Sequence, residues 1–216
     1  MAGLESDTIG GFNALLQKQR AVAGECLLTT VLFDDKYELL HDRLSIKGVA
    51  DLTEKDYYVR GSTALLDAVG QSVAKISNAH SHTLSEEVPE KVIMVITTDG
   101  MENSSREFTS GQIRELISAR KAAGWEFIFL GANLDALETA DQMGISRDRA
   151  ANFHSDSVGT QLNFRVLEEA VTNLRVNQSM APNWKEAIDE DFEARGKGKK
   201  KGSAKGAKKA SDAPKA

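Results

Sequence analysis

The run Lys91-Val92-Ile93-Met94-Val95-Ile96-Thr97-Thr98-Asp99-Gly100 constrains the fold of this chain more than any other stretch. Five consecutive apolar residues, a Val-Ile pair on each side of a Met, match a strand in length and lack a helical period. That is the pattern of a strand buried on both faces of a parallel sheet. Open α/β sheets take their ligands in the crevice outside the carboxyl ends of the strands. Asp99-Gly100 falls at that end, which makes Asp99 the first candidate functional residue. The simpler reading is that Asp-Gly only starts a turn.

The rest of the chain alternates in a way that supports such a sheet. Ile9, Phe12, Leu15, Leu16 and Val22 recur at helical spacing behind Ser6 and Asp7, which are available as caps, and Gly24 closes that helix. Residues 26 to 33 read as a strand, Asp34-Asp35-Lys36 as a tight solvated turn, and 37 to 41 as its hairpin partner. Leu65, Leu66, Val69, Val73 and Ile76 form a second helical stripe starting from Thr63. After the central strand, Thr109-Ser110-Gly111-Gln112 fits a capping box for a third helix ending at Gly124. Residues 125 to 131 are a second buried strand, 134 to 143 a short helix stopped by Gly144, 149 to 154 a weaker strand and 160 to 176 a long helix. Strands alternating with helices imply an α/β fold with a parallel sheet covered on both faces.

Composition narrows the class. With 216 residues, 41% hydrophobic and 27% charged, the chain is long enough for one domain with a sizeable core. No apolar run approaches a membrane span and the first residues lack the signature of a secretory signal, so the expectation is a cytoplasmic protein without membrane contact. The one cysteine, Cys26, agrees with a reducing compartment and reads as an inert packed thiol. The net charge of −5 conceals a division, because nine of the 27 basic residues but one of the 32 acidic ones lie from Arg195 onward. That Gly-, Lys- and Ser-rich tail has no apolar stripe and is expected to be disordered. Residues 177 to 194, with Pro182, Trp184 and Phe192, read as a helical extension docked on the body.

The combination of Arg60-Gly61-Ser62-Thr63-Ala64-Leu65, entering a helix, with a later buried strand ending in Thr-Asp-Gly resembles the von Willebrand factor A (vWA) family. The resemblance covers about residues 1 to 176. It implies a Rossmann-like, mostly parallel central sheet with one antiparallel edge strand and helices on both faces. It also implies a metal-ion-dependent adhesion site, in which Thr63 and Asp99 match the threonine and the aspartate. The family's first element, Asp-x-Ser-x-Ser at the end of a central strand, has no counterpart here, and Met1-Ala2-Gly3-Leu4-Glu5 looks like the residues that follow it. The expected domain is therefore N-terminally incomplete, lacking its first central strand. Such a chain is expected to have an upstream start, to be loosened, or to be completed by a strand from elsewhere.

A Mg²⁺ ion at such a site needs hard oxygen ligands in octahedral array. With one formal negative charge between Thr63 and Asp99, affinity is expected to be weak, and a partner's carboxylate would complete the site. The function expected is thus a protein-interaction module, not an enzyme. The main alternative is a Mg²⁺-dependent hydrolase or phosphatase of related topology, because Thr-Asp-Gly after an apolar strand also occurs there. Against it, the sequence has no phosphate loop, no Gly-x-Ser-x-Gly elbow and no His-Glu-x-x-His. A further alternative is a polyanion-binding accessory protein whose lysine tail makes weak, salt-sensitive contact with nucleic acid. His80 and His82 lack a third ligand and read as solvated. Asn103 and Asn133 are candidates to tune the site, and Glu102 and Arg106 to contact a partner on the same rim.

Overall fold

The computed structural model describes residues 3–59, 61–132 and 136–206. The fold is α/β, with six α-helices, a two-stranded antiparallel sheet and a three-stranded parallel sheet. Helix α1 (Glu5–Ala21) buries Leu16 and half-buries Phe12. Its cap position is Leu4, which offers no side-chain acceptor; Ser6 and Asp7 sit inside the first turn, and Asp7 instead accepts from Ser157 and Gln161. Gly24, at φ +90°, takes the left-handed conformation that turns the chain into β1 (Leu27–Phe33). β1 pairs antiparallel with β2 (Tyr37–Ser45), which extends past the expected His41, and bulges interrupt the register around Thr30.

Helix α2 (Leu65–Ser81) follows the 3.6-residue stripe and buries Leu65, Leu66, Val69 and Val73. β3 (Ile93–Thr98), α3 (Ser110–Ala122), β4 (Glu126–Ala132), α4 (Ala136–Gln142), β5 (Ala150–Phe153) and α5 (Ser157–Asn177) complete the alternation. The capping box at the start of α3 forms as its sequence dictates: Thr109 Oγ1 accepts from Gln112 N–H and Gln112 Oε1 from Thr109 N–H. β3, β4 and β5 lie parallel in that order, and β4 at the centre is buried along almost its whole length.

The strands do not form the one central sheet that the sequence suggests. β1–β2 and β3–β4–β5 are separate, and no ladder bond joins β1 to β3 among the described residues. β3 is consequently an edge strand. Ile93, Met94 and Val95, whose composition suits a strand covered on every side, are only half-buried.

Helices cover both faces. On one, α2, α3 and α4 pack over Met94, Ile96, Phe127 and Phe129. On the other, Leu162, Val166, Leu167, Ala170 and Leu174 of α5 cover Ile93, Val95, Ile128 and Leu130, while α1 covers Cys26 and Leu28. α1 and α5 are fastened together: Gln19 Nε2 donates to Thr172 Oγ1 at 3.0 Å, and Arg175 donates to Gln19 Oε1 at 3.0 Å.

α6 (Glu186–Gly206) docks through buried Ile188, behind Trp184, whose indole N–H donates to Asp148 O at 2.7 Å. The helix passes Arg195, where the sequence suggests that order ends. Arg195 is held there by ion pairs to Asp156 and Asp191, charge contacts that an apolar-periodicity argument does not see. Residues 207–216, the remainder of the basic tail, lie outside the described residues.

Candidate functional site

The carboxyl ends of β1 and β3 meet at the dipeptide that leads into α2. Ala64 N–H donates to Asp34 O at the end of β1, at 2.6 Å. Thr63 O accepts from Asn103 N–H at 3.0 Å, in the loop that leaves β3, and Thr63 N–H donates to Asn103 Oδ1 at 3.0 Å. The Thr63 hydroxyl lies directly on Gly100, so closely that a Cβ there would overlap Oγ1. Glycine at position 100 is what lets the Thr63 side chain approach the residue next to Asp99. Asp99 is half-buried, and its Oδ2 accepts from Ser155 Oγ at 3.5 Å, just past the end of β5.

Two carboxylates lock the loop after β3 onto the first turn of α2. Glu102 accepts from Leu66 N–H at 2.9 Å, Ser104 N–H at 3.0 Å, and Ser105 N–H and Oγ at 2.8 and 2.7 Å. Partial burial pushes its pKa up, but these backbone and hydroxyl donors outweigh burial and hold it below the ordinary glutamate value. Asp67 likewise accepts from the N–H groups of Arg106, Glu107 and Phe108. There too the donors overcome desolvation and keep the carboxyl below its usual range. Glu102, expected from sequence to face outward to a partner, is instead consumed inside the fold. The first turn of a helix has amides without an intrahelical partner, and Glu102 satisfies that of Leu66 at the start of α2.

On the same rim a cleft of about 320 Å³ opens between α2 and α4, lined by Leu65, Leu66, Thr98, Gly100, Met101 and Phe129. Thr98 frames it: its hydroxyl donates to Gly100 O at 3.1 Å and accepts from Gly100 N–H at 3.2 Å, shaping the Thr-Asp-Gly corner.

Two further residues reach this rim without a motif to mark them. Asp34, read as part of a solvated turn, does make that turn through Lys36 N–H to Oδ1 at 2.7 Å, yet it is 5% exposed and packed beside Ala64. Its neighbour Asp35 is exposed, so the pair divides. Ser155 gave no signal, because a single hydroxyl after a short strand has no motif. Asn133 lies outside the described residues.

The histidines are separated by their packing. His80 meets Trp125 edge-on at 6.0 Å, and burial followed by the nearby Arg43 and Arg120 lowers its pKa. His82 Nδ1 is 2.8 Å from Asn78 O. Burial raises the Cys26 thiol pKa, with Arg175 opposing, which keeps it in the unreactive protonated form.

The donors gathered at the rim, Thr63 Oγ1, the Asp99 carboxylate and Ser155 Oγ, are hard oxygens of the kind Mg²⁺ accepts. Among the described residues no three His, Cys, Asp or Glu side chains cluster as a metal site. No helix among the described residues is long and apolar enough to cross a membrane. No family model matches the chain, and no curated protein matches it either.

Proposed function

We propose that this chain is a vWA-type protein-interaction module in the cytoplasm, with Thr63 and Asp99 at a weak, incomplete Mg²⁺ site that a partner's carboxylate completes. One observation carries the reading: Thr63, at the entrance to α2, rests its hydroxyl on the Asp99-Gly100 corner at the end of β3. Residues that are 36 apart in sequence thereby share one rim, with oxygen donors only. Thr63 and Asp99 would hold the ion, and Ser155 would orient the Asp99 carboxylate. A bound ion supplies positive charge that draws an acidic side chain of a partner to the rim.

The hydrolase alternative needs a nucleophile or base together with groups that stabilise a leaving phosphate. The two carboxylates that hold the loop after Asp99, Glu102 and Asp67, are occupied by backbone N–H groups and are not poised for proton transfer. Incubating the chain with p-nitrophenyl phosphate and Mg²⁺ separates the readings. No turnover, with retention on an immobilised glutamate-bearing peptide that is lost in EDTA, supports the interaction module. Turnover that disappears in Asp99→Ala contradicts it.

A further inference from the structure

We infer that Arg43, Lys75, Asn78 and His82 form a binding site for the phosphate monoester of a small polyol, whose phosphate dianion is held by the two cations. The site lies at the opposite end of α2 from Thr63, and nothing at the Thr63–Asp99 rim takes part in it. Lys75, Asn78, Ala79 and His82 fall at i, i+3, i+4 and i+7, so they share one face of α2 and its cap. Between this face and Arg43 of β2 is a pocket of about 310 Å³, which Thr83 also lines.

A bulge delivers Arg43 to the pocket. Between the pairs Leu28–Leu44 and Thr30–His41, β2 carries Asp42 and Arg43 where β1 carries only Thr29. Arg43 takes up the extra length at φ +50°, and its N–H donates to Thr29 Oγ1 at 3.2 Å. That left-handed conformation favours glycine or asparagine, and residues held in it against preference gather at binding sites, where bulges re-aim side chains. Among the described residues Gln178 is the other non-glycine at positive φ, and it ends a helix.

The two cations are fixed in place but not saturated. Asp42 Oδ1 accepts from Arg43 Nε at 3.0 Å and Asp42 Oδ2 pairs with Lys75 Nζ at 2.8 Å, so one carboxylate sets both. Among the described residues, Arg43 Nη1 and Nη2 and the Asn78 amide make no hydrogen bond, and Lys75 makes only that ion pair. Cations near a helix C-terminus commonly serve the carbonyls of the helix itself. Here other groups do so: Ser81 Oγ and His82 Nδ1 each donate to Asn78 O at 2.8 Å, and Thr83 Oγ1 donates to Ala79 O at 2.8 Å.

Two cations against one carboxylate leave the pocket positive. A ligand with a single negative charge only repeats what Asp42 supplies, whereas a phosphate monoester carries about −1.5 to −2 at neutral pH and offers three oxygens to a guanidinium fork and an ammonium. The pocket is larger than a bare phosphate needs and of the size at which small organic ligands begin to fit, ~300 Å³. No phenyl or indole ring lines it, which disfavours a nucleobase, while the Asn78 amide, the His82 ring and the Thr83 hydroxyl suit the hydroxyls of a polyol.

The test is titration of the ¹⁵N-labelled full chain in EDTA, at constant ionic strength, with glucose 6-phosphate, inorganic phosphate and AMP in turn. Glucose 6-phosphate should shift the amide signals of residues 43, 75, 78, 79, 82 and 83 in a saturable way, and bind more tightly than the other two. Arg43→Gly puts glycine where the backbone favours it, so the fold should persist while binding weakens by about tenfold. Lys75→Met, which keeps the stem and removes the charge, should weaken binding similarly. Shifts that do not saturate, that spread over lysines elsewhere, or that persist unchanged in both variants overturn the inference. So does inorganic phosphate or AMP binding as tightly as glucose 6-phosphate, which would remove the polyol.

Discussion

Thr63 and Asn103 clasp each other through two hydrogen bonds of 3.0 Å, one from Thr63 N–H to the Asn103 side chain and one from Asn103 N–H to Thr63 O. This clasp holds the loop after β3 against the entrance to α2, and with it the Thr63 hydroxyl against Gly100. Asn103→Ala removes the side-chain half and leaves the backbone half. The expected cost is about 0.5–1.5 kcal/mol in urea unfolding, the ordinary net value of one such bond. An unchanged midpoint would mean that water replaces the bond without penalty.

Glu102 makes the same loop sensitive to acid. Its folded pKa lies below the unfolded value, about 4.3, so its stabilising effect is complete above that pH and is lost as pH falls through the folded pKa. Glu102→Gln should cost about 1–3 kcal/mol at pH 7, because it discharges a carboxylate that four donors face. The gap between wild type and variant should close as the pH drops below about 4. A gap that is constant with pH would assign the cost to shape and not to charge.

Asn163 is 2% exposed on α5, and neither its amide nitrogen nor its amide oxygen has a hydrogen-bond partner among the described residues. Leucine has the same branching and the same number of heavy atoms, with bulkier methyl groups in place of the amide, and leaves nothing unsatisfied. Asn163→Leu is expected to raise stability by about 1–2 kcal/mol, judged by the urea midpoint. Destabilisation would mean that a buried water or a bound segment serves this amide.

How much of this was readable in advance depends on the range of the interaction concerned. The six helices and five strands follow from local apolar periods, and the α3 cap from four adjacent residues. The resemblance to the vWA family pairs Thr63 with Asp99, and the Thr63 hydroxyl lies on Gly100, the residue after Asp99. The division into two sheets is set by strand pairing over long sequence separations, which an apolar run such as Val92–Ile96 does not encode. Glu102, Asp67 and Asp34 look like surface charges in a sequence because the N–H groups that claim them come from other segments. The reach of α6 past 194 depends likewise on ion pairs of Arg195, one of them to Asp156 at the start of α5.

The end of the body can be located by truncation. Arg195 is the last residue with described ion pairs, so deleting 197–216 should move the melting temperature by no more than about a degree or two. Arg195→Ala should cost up to about 1 kcal/mol, as half-exposed pairs do, and less in high salt. A larger loss on truncation than on Arg195→Ala would show that the lysine-rich segment rests on the acidic body.

The most direct test of the rim site is titration of the ¹⁵N-labelled chain with Mn²⁺, whose unpaired electrons broaden the amide signals nearest to it even when binding is weak. The account predicts that broadening begins at residues 62–64, 99–101 and 155, is displaced by excess Mg²⁺, and is lost in Asp99→Ala while the other resonances stay in place. Equal broadening at those residues with and without Asp99, or broadening confined to acidic surface elsewhere, would contradict it.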